Sequence, residues 1–376
     1  MPIRIVHTAD NHIGLPFRQY SDDLRSTLAD ERCAALTRLV EAANERRADF
    51  FVVAGDLFDS TRVTAGDIKR TVEILGGFAG VAVLVLPGNH DYLSGPETEV
   101  WKRFRTAAEG VGVIHLLTAP SVQSYEVGGQ KVHFFPCPCP SKTGTEPTIG
   151  WVAEAAAAHP DGLRIGIAHG NVTGLGLDAE GHYFTMEPAA LEQAGVATWL
   201  LGHIHVPFPA APAGERSPYF MAGTHTPDSI RCGHAGSAWL IECDEAHVTR
   251  FERLAPGTLR FLRLKRQLTS ADDVGALIRE CAALDASRIV LDLQLSGRLA
   301  SAERAELDAA IERIRENFLE LTQDTAIHQR IDAAEIQARH PEGGLAHRLL
   351  TALLEDADHP DAATLAHELI QEVKGG

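Results

Sequence analysis

Five short runs in this chain carry side chains that packing does not explain. They are Asp10-Asn11-His12, Gly55-Asp56-Leu57-Phe58-Asp59, Gly88-Asn89-His90-Asp91, His169-Gly170 and Gly202-His203-Ile204-His205. Carboxylate oxygens, imidazole nitrogens and an amide oxygen are the donors that hold borderline divalent cations, and an imidazole beside them is suited to moving a proton. The most pointed stretch is Leu86-Pro87-Gly88-Asn89-His90-Asp91. Gly88 lets the backbone turn after an apolar run, and three polar side chains then follow in a row. They make sense as a ligand, an acid and a group that orients the acid. Any one run occurs by chance in many chains; all five, each after an apolar stretch, form one signal.

The stretches before these runs read as strands. Ile3–His7, Phe50–Ala54 and Val81–Leu86 are short, apolar and rich in β-branched residues. Between them, 22–47 has helical spacing with Leu24, Leu28, Leu36, Leu39 and Val40 on one face, and 64–76 is a second helix. Strand–helix alternation predicts parallel strands with right-handed crossovers, and sites in such sheets form beyond the carboxyl ends of the strands. Residues 113–117, 122–127, 131–136, 164–168 and 198–201 read as further strands, and 151–159 as a helix. Residues 219–222, 237–243 and 247–254 read as antiparallel strands, and Ala255-Pro256-Gly257 as a linker. A smaller pattern follows: strand 259–268, helix 270–284 with Ser270 as N-cap, strand 288–295, helix 301–321 and a last strand at 326–331. The tail reads as two helices, 344–355 and 362–373, across an acidic turn.

Composition bounds the function classes. The 376 residues are 45% hydrophobic and 23% charged, an ordinary globular balance. No apolar run approaches the roughly 20 residues that span a bilayer, and the opening Met1-Pro2-Ile3-Arg4-Ile5-Val6 enters a strand at once, so the expected location is cytoplasmic with no membrane contact. The six cysteines form no framework, and the lone Cys137-Pro138-Cys139 pair has no second pair at zinc-site spacing. A net charge of −17 argues against a broad nucleic-acid surface. It leaves room for a nuclease, because carboxylates that hold cations count as negative here.

The five runs together resemble the calcineurin-like metallophosphoesterases, whose pattern is D-x-H, G-D-x-x-D, G-N-H-[DE], a later His, and G-H-x-H. Within them the chain is most similar to the SbcD-type DNA repair exonucleases, including the YhaO-like branch. That likeness rests on Ile5-Val6-His7-Thr8-Ala9-Asp10-Asn11-His12-Ile13-Gly14, Val53-Ala54-Gly55-Asp56-Leu57-Phe58-Asp59 and Leu200-Leu201-Gly202-His203-Ile204-His205. The resemblance implies an α/β four-layer αββα metallophosphoesterase sandwich over residues 1–255. It further implies a small C-terminal α+β capping domain at 258–333 and a helical tail at 334–376. It implies two divalent metal ions, with Mn²⁺ favoured and Fe²⁺ or Zn²⁺ as alternatives, which the mixed oxygen and imidazole donors suit better than Mg²⁺ or Ca²⁺.

By the same resemblance Asp56 bridges the metals, Asp10, His12 and His205 complete one, and Asn89, His169 and His203 complete the other. His90 then serves as general acid, oriented by Asp59 or Asp91. Where some relatives carry a second His, this chain has Asp59. Apart from the resemblance, Arg18 and Tyr20 after the first run and Arg62 after the second are candidates for substrate contact, a solvated surface role being the equal alternative for each. The implied partners are DNA ends or single strands, an SMC-like ATPase of the SbcC type bound through the tail, and a second copy of the chain.

Each residue has an ordinary alternative. Asp59 and Asp91 serve equally well as turn hydrogen bonders. His7, His115, His133, His159, His182 and His247 read as packed histidines, and His225 and His234 as loop residues near the site rather than ligands. Trp101-Lys102-Arg103-Phe104-Arg105 reads as a helix with a buried aromatic face; Arg260 to Arg266 alternates basic with apolar and is the best basic stripe. The expected function is metal-dependent DNA exonuclease action. The rivals are phosphodiester hydrolysis of small molecules and a non-catalytic scaffold, and the complete set of candidate ligands disfavours the scaffold.

Overall fold

The computed structural model describes residues 2–95, 98–175, 181–356, 358–359 and 362–375. Ala357, Pro360 and Asp361 of the acidic tail turn lie outside the described residues. Two compact units divide the chain, Met1–Arg260 and Phe261–Gly376.

The first unit begins β1 (Ile3–Thr8), α1 (Asp22–Glu45), β2 (Phe50–Ala54), α2 (Ala65–Gly76), β3 (Ala82–Leu86), α3 (Glu99–Ala107) and β4 (Ile114–Leu116). It continues with β5 (Gln123–Val127), β6 (Gln130–Cys137), α4 (Val152–Ala158), β7 (Leu163–His169), α5 (Pro188–Gln193) and β8 (Thr198–Gly202). It closes with β9 (Ala213–Gly214), β10 (Tyr219–Met221), β11 (Ala238–Cys243) and β12 (Val248–Leu254). One sheet runs β4-β3-β2-β1-β11-β12-β9, the other β10-β8-β7-β6-β5. β1 to β4 are mutually parallel, and β11 closes antiparallel on β1. In the second sheet β6, β7, β8 and β10 are parallel and β5 is antiparallel.

Pleating sorts the strand residues into layers, because successive side chains point to opposite faces. Phe50, Val52 and Ala54 face the second sheet and meet Phe134, Ile165 and Leu200. Phe51 and Val53 face the other way, onto Leu36, Leu39 and Val40 of α1, Val72 and Leu75 of α2, and Trp101 and Phe104 of α3. Behind the second sheet, Phe135, Trp199 and Leu201 pack on Val152 and Ala156 of α4 and Leu191 of α5. The layers are therefore helix, sheet, sheet, helix. Side chains close the helix starts: Ser21 Oγ accepts from Leu24 N, and Thr64 and Asp67 form a reciprocal box.

Two expectations fail in informative ways. Residues 219–221 form a strand that pairs parallel to β8 rather than antiparallel; alternation identifies a strand but not its direction. The helix predicted over 301–321 ends at Arg315, because Phe318 and Leu321 continue its spacing while belonging to the next strand and its approach. That strand begins at Glu320 rather than 326, and Thr322 to Asp324 are exposed, which hides its β character from the pattern.

The second unit contains β13 (Arg260–Leu268), α6 (Ala271–Ala282), β14 (Ile289–Leu299), α7 (Ser301–Arg315), β15 (Glu320–Gln329), α8 (Ala333–Arg339), α9 (Leu345–Leu354) and α10 (Ala362–Gly375). Its sheet runs β13-β14-β15, with β14 and β15 parallel, and the core holds Leu264, Leu277, Leu293, Leu307 and Ile311. The basic stripe on β13 is half neutralised: Arg263 pairs with Asp292 at 2.6 Å and Arg266 with Glu280. No helix among the described residues is long and apolar enough to cross a membrane.

The two sheets of the first unit are also joined by a hydrogen bond. Trp239 of β11, fully buried, donates Nε1–H to the Met221 carbonyl of β10 at 2.8 Å. Trp239→Phe keeps an aromatic ring but removes the bond between the sheets, leaving the Met221 carbonyl with Phe208 N as its donor at 3.1 Å. We expect a loss of about 1–3 kcal/mol in urea unfolding; an unchanged midpoint would show that the bond contributes nothing.

Candidate metal centre

Strands from both sheets deliver the five polar runs to one end of the first unit. Asp10, Asp56 and Asn89 follow β1, β2 and β3; His169 ends β7, and His203 and His205 follow β8. All are beyond or at the carboxyl ends of parallel strands. The loops are tied together by backbone bonds: Asp10 N donates to Gly55 O at 3.1 Å, His12 N to Asp56 O at 2.9 Å and Ile13 N to Leu57 O at 2.9 Å.

The backbone here is strained. Seven described non-glycine residues have positive φ, and four are Asp10 (51°), His12 (41°), Asp56 (51°) and His203 (99°). Each costs of order 1–3 kcal/mol and persists only where the surroundings over-determine it. Two glycines are dictated by crowding: a Cβ on Gly55 would overlap the His169 ring at Nδ1, and one on Gly88 would overlap Asp56 Oδ1.

Asp56 is the shared member. Oδ2 lies 3.7 Å from His12 Nε2 and 3.3 Å from His169 Nε2, while Oδ1 accepts from His90 N at 2.8 Å. Asp10, His12 and His205 converge within metal-binding distance of one another, as do Asp10, Asp56 and His169, and His12, Asp56 and His90. Asn89 Oδ1 lies 3.0 Å from both His169 Nε2 and His203 Nδ1, its Nδ2 being turned to Lys142 O. The seven residues expected as ligands are thus brought together, with Asp10, Asp56, Asn89 and His169 each no more than 1% exposed.

The outer hydrogen bonds test whether cations fit. His169 Nδ1 donates to Ala54 O at 2.9 Å, which leaves the Nε2 lone pair facing the oxygens of Asp56 and Asn89. His205 Nδ1 donates to the Asp228 carboxylate at 2.5 Å, and His12 Nδ1 lies 3.3 Å from Asp59 Oδ1. Their Nε2 atoms then face each other at 3.2 Å. Acceptors aimed at acceptors need a proton or a cation between them. The donor set fits two divalent ions.

The charges agree. Burial pushes the Asp10 carboxyl up. Asp56, despite its burial, is held well below the usual carboxylate range by His169 and His12. Burial would lower His169, but the Asp56 carboxylate overrides it and raises the imidazole to about 9. Burial, reinforced by His169, lowers His203 to about 3. Burial also works against His205, yet its hydrogen bond to Asp228 raises it.

Two assigned roles change. His90 Nδ1 bonds the Asp59 backbone carbonyl at 2.9 Å rather than either carboxylate. The Asp59 carboxylate faces His12 instead. Asp91 is fully buried and accepts from Gly88 N at 2.7 Å and Phe58 N at 2.9 Å, bracing the loop from beneath; burial and then Asp56 push its carboxyl up to about 8. Arg18 and Arg62 are exposed on the loops that leave β1 and β2, and half-buried Tyr20 lies against Phe17. None of the three belongs to the converging groups.

Sequence reasoning missed Asp228, which lies in Thr226-Pro227-Asp228-Ser229 with nothing local to mark it. It missed Tyr183, whose ring lies 4.9 Å from that of His203. His234 and His225 do return to the site without joining it, bonding His205 O at 2.7 Å and Arg32 O at 2.8 Å. All six cysteines are free, and burial pushes the Cys137 thiol up to about 12.

A family model described as calcineurin-like phosphoesterase matches residues 3–207. Among curated proteins, the chain is 27% identical over 218 residues to "Uncharacterized metallophosphoesterase YhaO" of Bacillus subtilis, covering 54% of this chain and 48% of that one. It is 26% identical over 260 residues to "DNA double-strand break repair protein Mre11" of Aeropyrum pernix, covering 64% of this chain and 60% of that one. It is 29% identical over 92 residues to a component of the nuclease SbcCD of Staphylococcus saprophyticus, covering 24% of this chain and 23% of that one. The matched stretches span roughly half the length of the first two relatives.

Because His169 carries a proton below about pH 9, a cation must displace it. Mn²⁺ affinity should therefore rise with pH, by up to about tenfold per unit for one released proton, and level off above pH 9. Calorimetric titration from about pH 6.5 to about pH 8.5 measures this, and a flat profile contradicts it. In the same assay Asp228→Asn should weaken Mn²⁺ binding by about 10- to 100-fold, since it loosens the tautomer and orientation of His205. Wild-type affinity in that variant would remove Asp228 from the centre.

Proposed function

The chain belongs to the calcineurin-like phosphoesterase family, and on that footing we propose that it is a dinuclear-metal phosphodiesterase acting on DNA as an exonuclease. The observation that carries this reading is the ring of inward-facing acceptors around Asp56 with His90 beside it. The two relatives with nuclease and strand-break-repair names support DNA as the substrate. Asp10, His12, Asp56 and His205 would hold one ion, and Asp56, Asn89, His169 and His203 the other. Mn²⁺ suits this donor set, with Fe²⁺ or Zn²⁺ as substitutes. When bound, such ions lower the pKa of water towards about 7 and offset the charge on the phosphate.

The chain's own residues supply the rest. The Asp59 carbonyl accepts from His90 Nδ1–H, which leaves Nε2 as the ring atom that can pass a proton on. Water adds to phosphorus and releases one proton to solvent, the bond to the leaving oxygen breaks in line, and His90 Nε2 protonates that oxygen. The bond from His90 N to Asp56 Oδ1 and the Asp91 brace keep the imidazole at the site. Arg18, Tyr20 and Arg62 are the candidates for flanking phosphates. The reading extends to Phe261–Gly376 as the capping and partner-binding part. The apolar stripe of Leu345, Leu349, Leu365, Leu369 and Val373, each at least 45% exposed, is what an SbcC-type helical ATPase would cover.

The net charge of −17 and the paired arginines of β13 favour the second reading, hydrolysis of small phosphodiesters. End-labelled single- and double-stranded DNA with Mn²⁺ separates them. We expect Mn²⁺-dependent release of label that falls with salt, and a loss of about 10²–10⁴-fold in His90→Gln with metal uptake kept. If wild type spares DNA yet hydrolyses a small chromogenic diester, the small-molecule reading replaces the nuclease one.

A further inference from the structure

Arg32 on α1 is 1% exposed, and its guanidinium makes no ion pair with any described carboxylate. Two of its three nitrogens bond backbone carbonyls and a hydroxyl, while Nη1 is buried without a hydrogen-bond partner. Nε donates to Asn11 O at 2.7 Å, and Nη2 donates to Asp10 O and to Thr224 Oγ1, each at 3.3 Å. The Thr224 hydroxyl itself lies 3.0 Å from Asp10 O and 2.9 Å from Thr226 O. No backbone N–H among the described residues reaches the carbonyls of Asp10 or Asn11. His225 Nε2 holds the Arg32 carbonyl at 2.8 Å and so fixes the turn of α1 that carries the guanidinium.

A buried cation without a carboxylate partner is costly, and an apolar residue would fill the same space at less cost. What only the guanidinium supplies is a rigid fork reaching two successive carbonyls and a hydroxyl. Those carbonyls belong to the turn in which Asp10 and His12 are both left-handed. Held there, the Asp10 carboxylate remains free to accept His203 N through both oxygens, at 3.0 and 3.1 Å, and to face His205 Nε2 at 3.8 Å. We propose that Arg32 is a positioning residue for the metal centre, clamping the Asp10 and Asn11 carbonyls so that Asp10 and His12 face the cations together. The inference rests on the metal-centre reading above and adds to it a residue that is not a ligand.

Charge gives the test its sign. A guanidinium acting only as a buried positive charge would repel divalent cations, so a neutral replacement would tighten their binding. A clamp predicts the opposite. The experiment is Mn²⁺ titration by calorimetry on the full chain, with circular dichroism to verify folding, for wild type, Arg32→Met, Arg32→Lys and Thr224→Val. Arg32→Met should bind Mn²⁺ about 10- to 100-fold more weakly. Arg32→Lys should not restore affinity, because one ammonium cannot span the three acceptors, and Thr224→Val should show a smaller loss of the same sign. A folded Arg32→Met that binds as tightly as wild type, or more tightly, overturns the proposal. Should Arg32→Met fail to fold, unchanged affinity in both Arg32→Lys and Thr224→Val overturns it instead. A wild-type chain that takes up no Mn²⁺ brings down the metal-centre reading itself, which is a different result from a wild type and a variant that bind alike.

Discussion

Asp56 is an anion 1% exposed at the exit of β2, and the arrangement around it follows from the need to compensate that charge. One oxygen accepts the His90 amide and the other faces two imidazoles. Its own carbonyl receives His12 N, so the same residue spaces two loops and supplies the charge between them. Gly88 has to be glycine because Asp56 fills the place of its Cβ, and Gly55 because His169 does the same on the other side. The sheets supply a fixed frame for this contact; the contact decides which residues can stand next to it.

The frame works because it is dry on every side except at the strand ends. Each central strand is buried on both faces, one against helices and one against the opposing sheet. Polar side chains are therefore few within the strands, His7 of β1 being one, and they gather where the strands of both sheets stop. The left-handed turns at Asp10, His12, Asp56 and His203 reverse the chain within one or two residues and keep those side chains close to the sheet. A site of this kind has short reach and little play, as a set of converging ligands requires.

The sequence made the ligands legible because each is a polar residue at or just after the end of an apolar strand. It left their supports illegible. Asp228 reaches His205 from a turn of ordinary composition, and Arg32 reads as one more polar position on an amphipathic helix. Both act only through tertiary proximity, for which a local pattern holds no signal. The exchange between Asp59 and Asp91 has the same origin: carboxylates at strand exits look alike, and only the fold shows that one faces His12 while the other lies under the loop. The overrun of the helix expected over 301–321 and the parallel direction of β10 belong here too, since spacing describes a segment and says nothing of what it meets.

The pairing of β1 has a consequence in time. Its neighbour on one side is β2, but on the other it is β11, with Ile3 against Cys243 and His7 against Trp239. At ribosomal speeds of about 5–20 residues per second, the first strand waits roughly 10–50 s for that partner to be made. Throughout that wait one edge of β1 is bare, and His203 and His205 are made only near its end. Pairing across such a separation is intrinsically slow. The ligand set is thus among the last features of the nascent first unit to close, and a chain stalled before β11 would present an open strand edge instead of a centre.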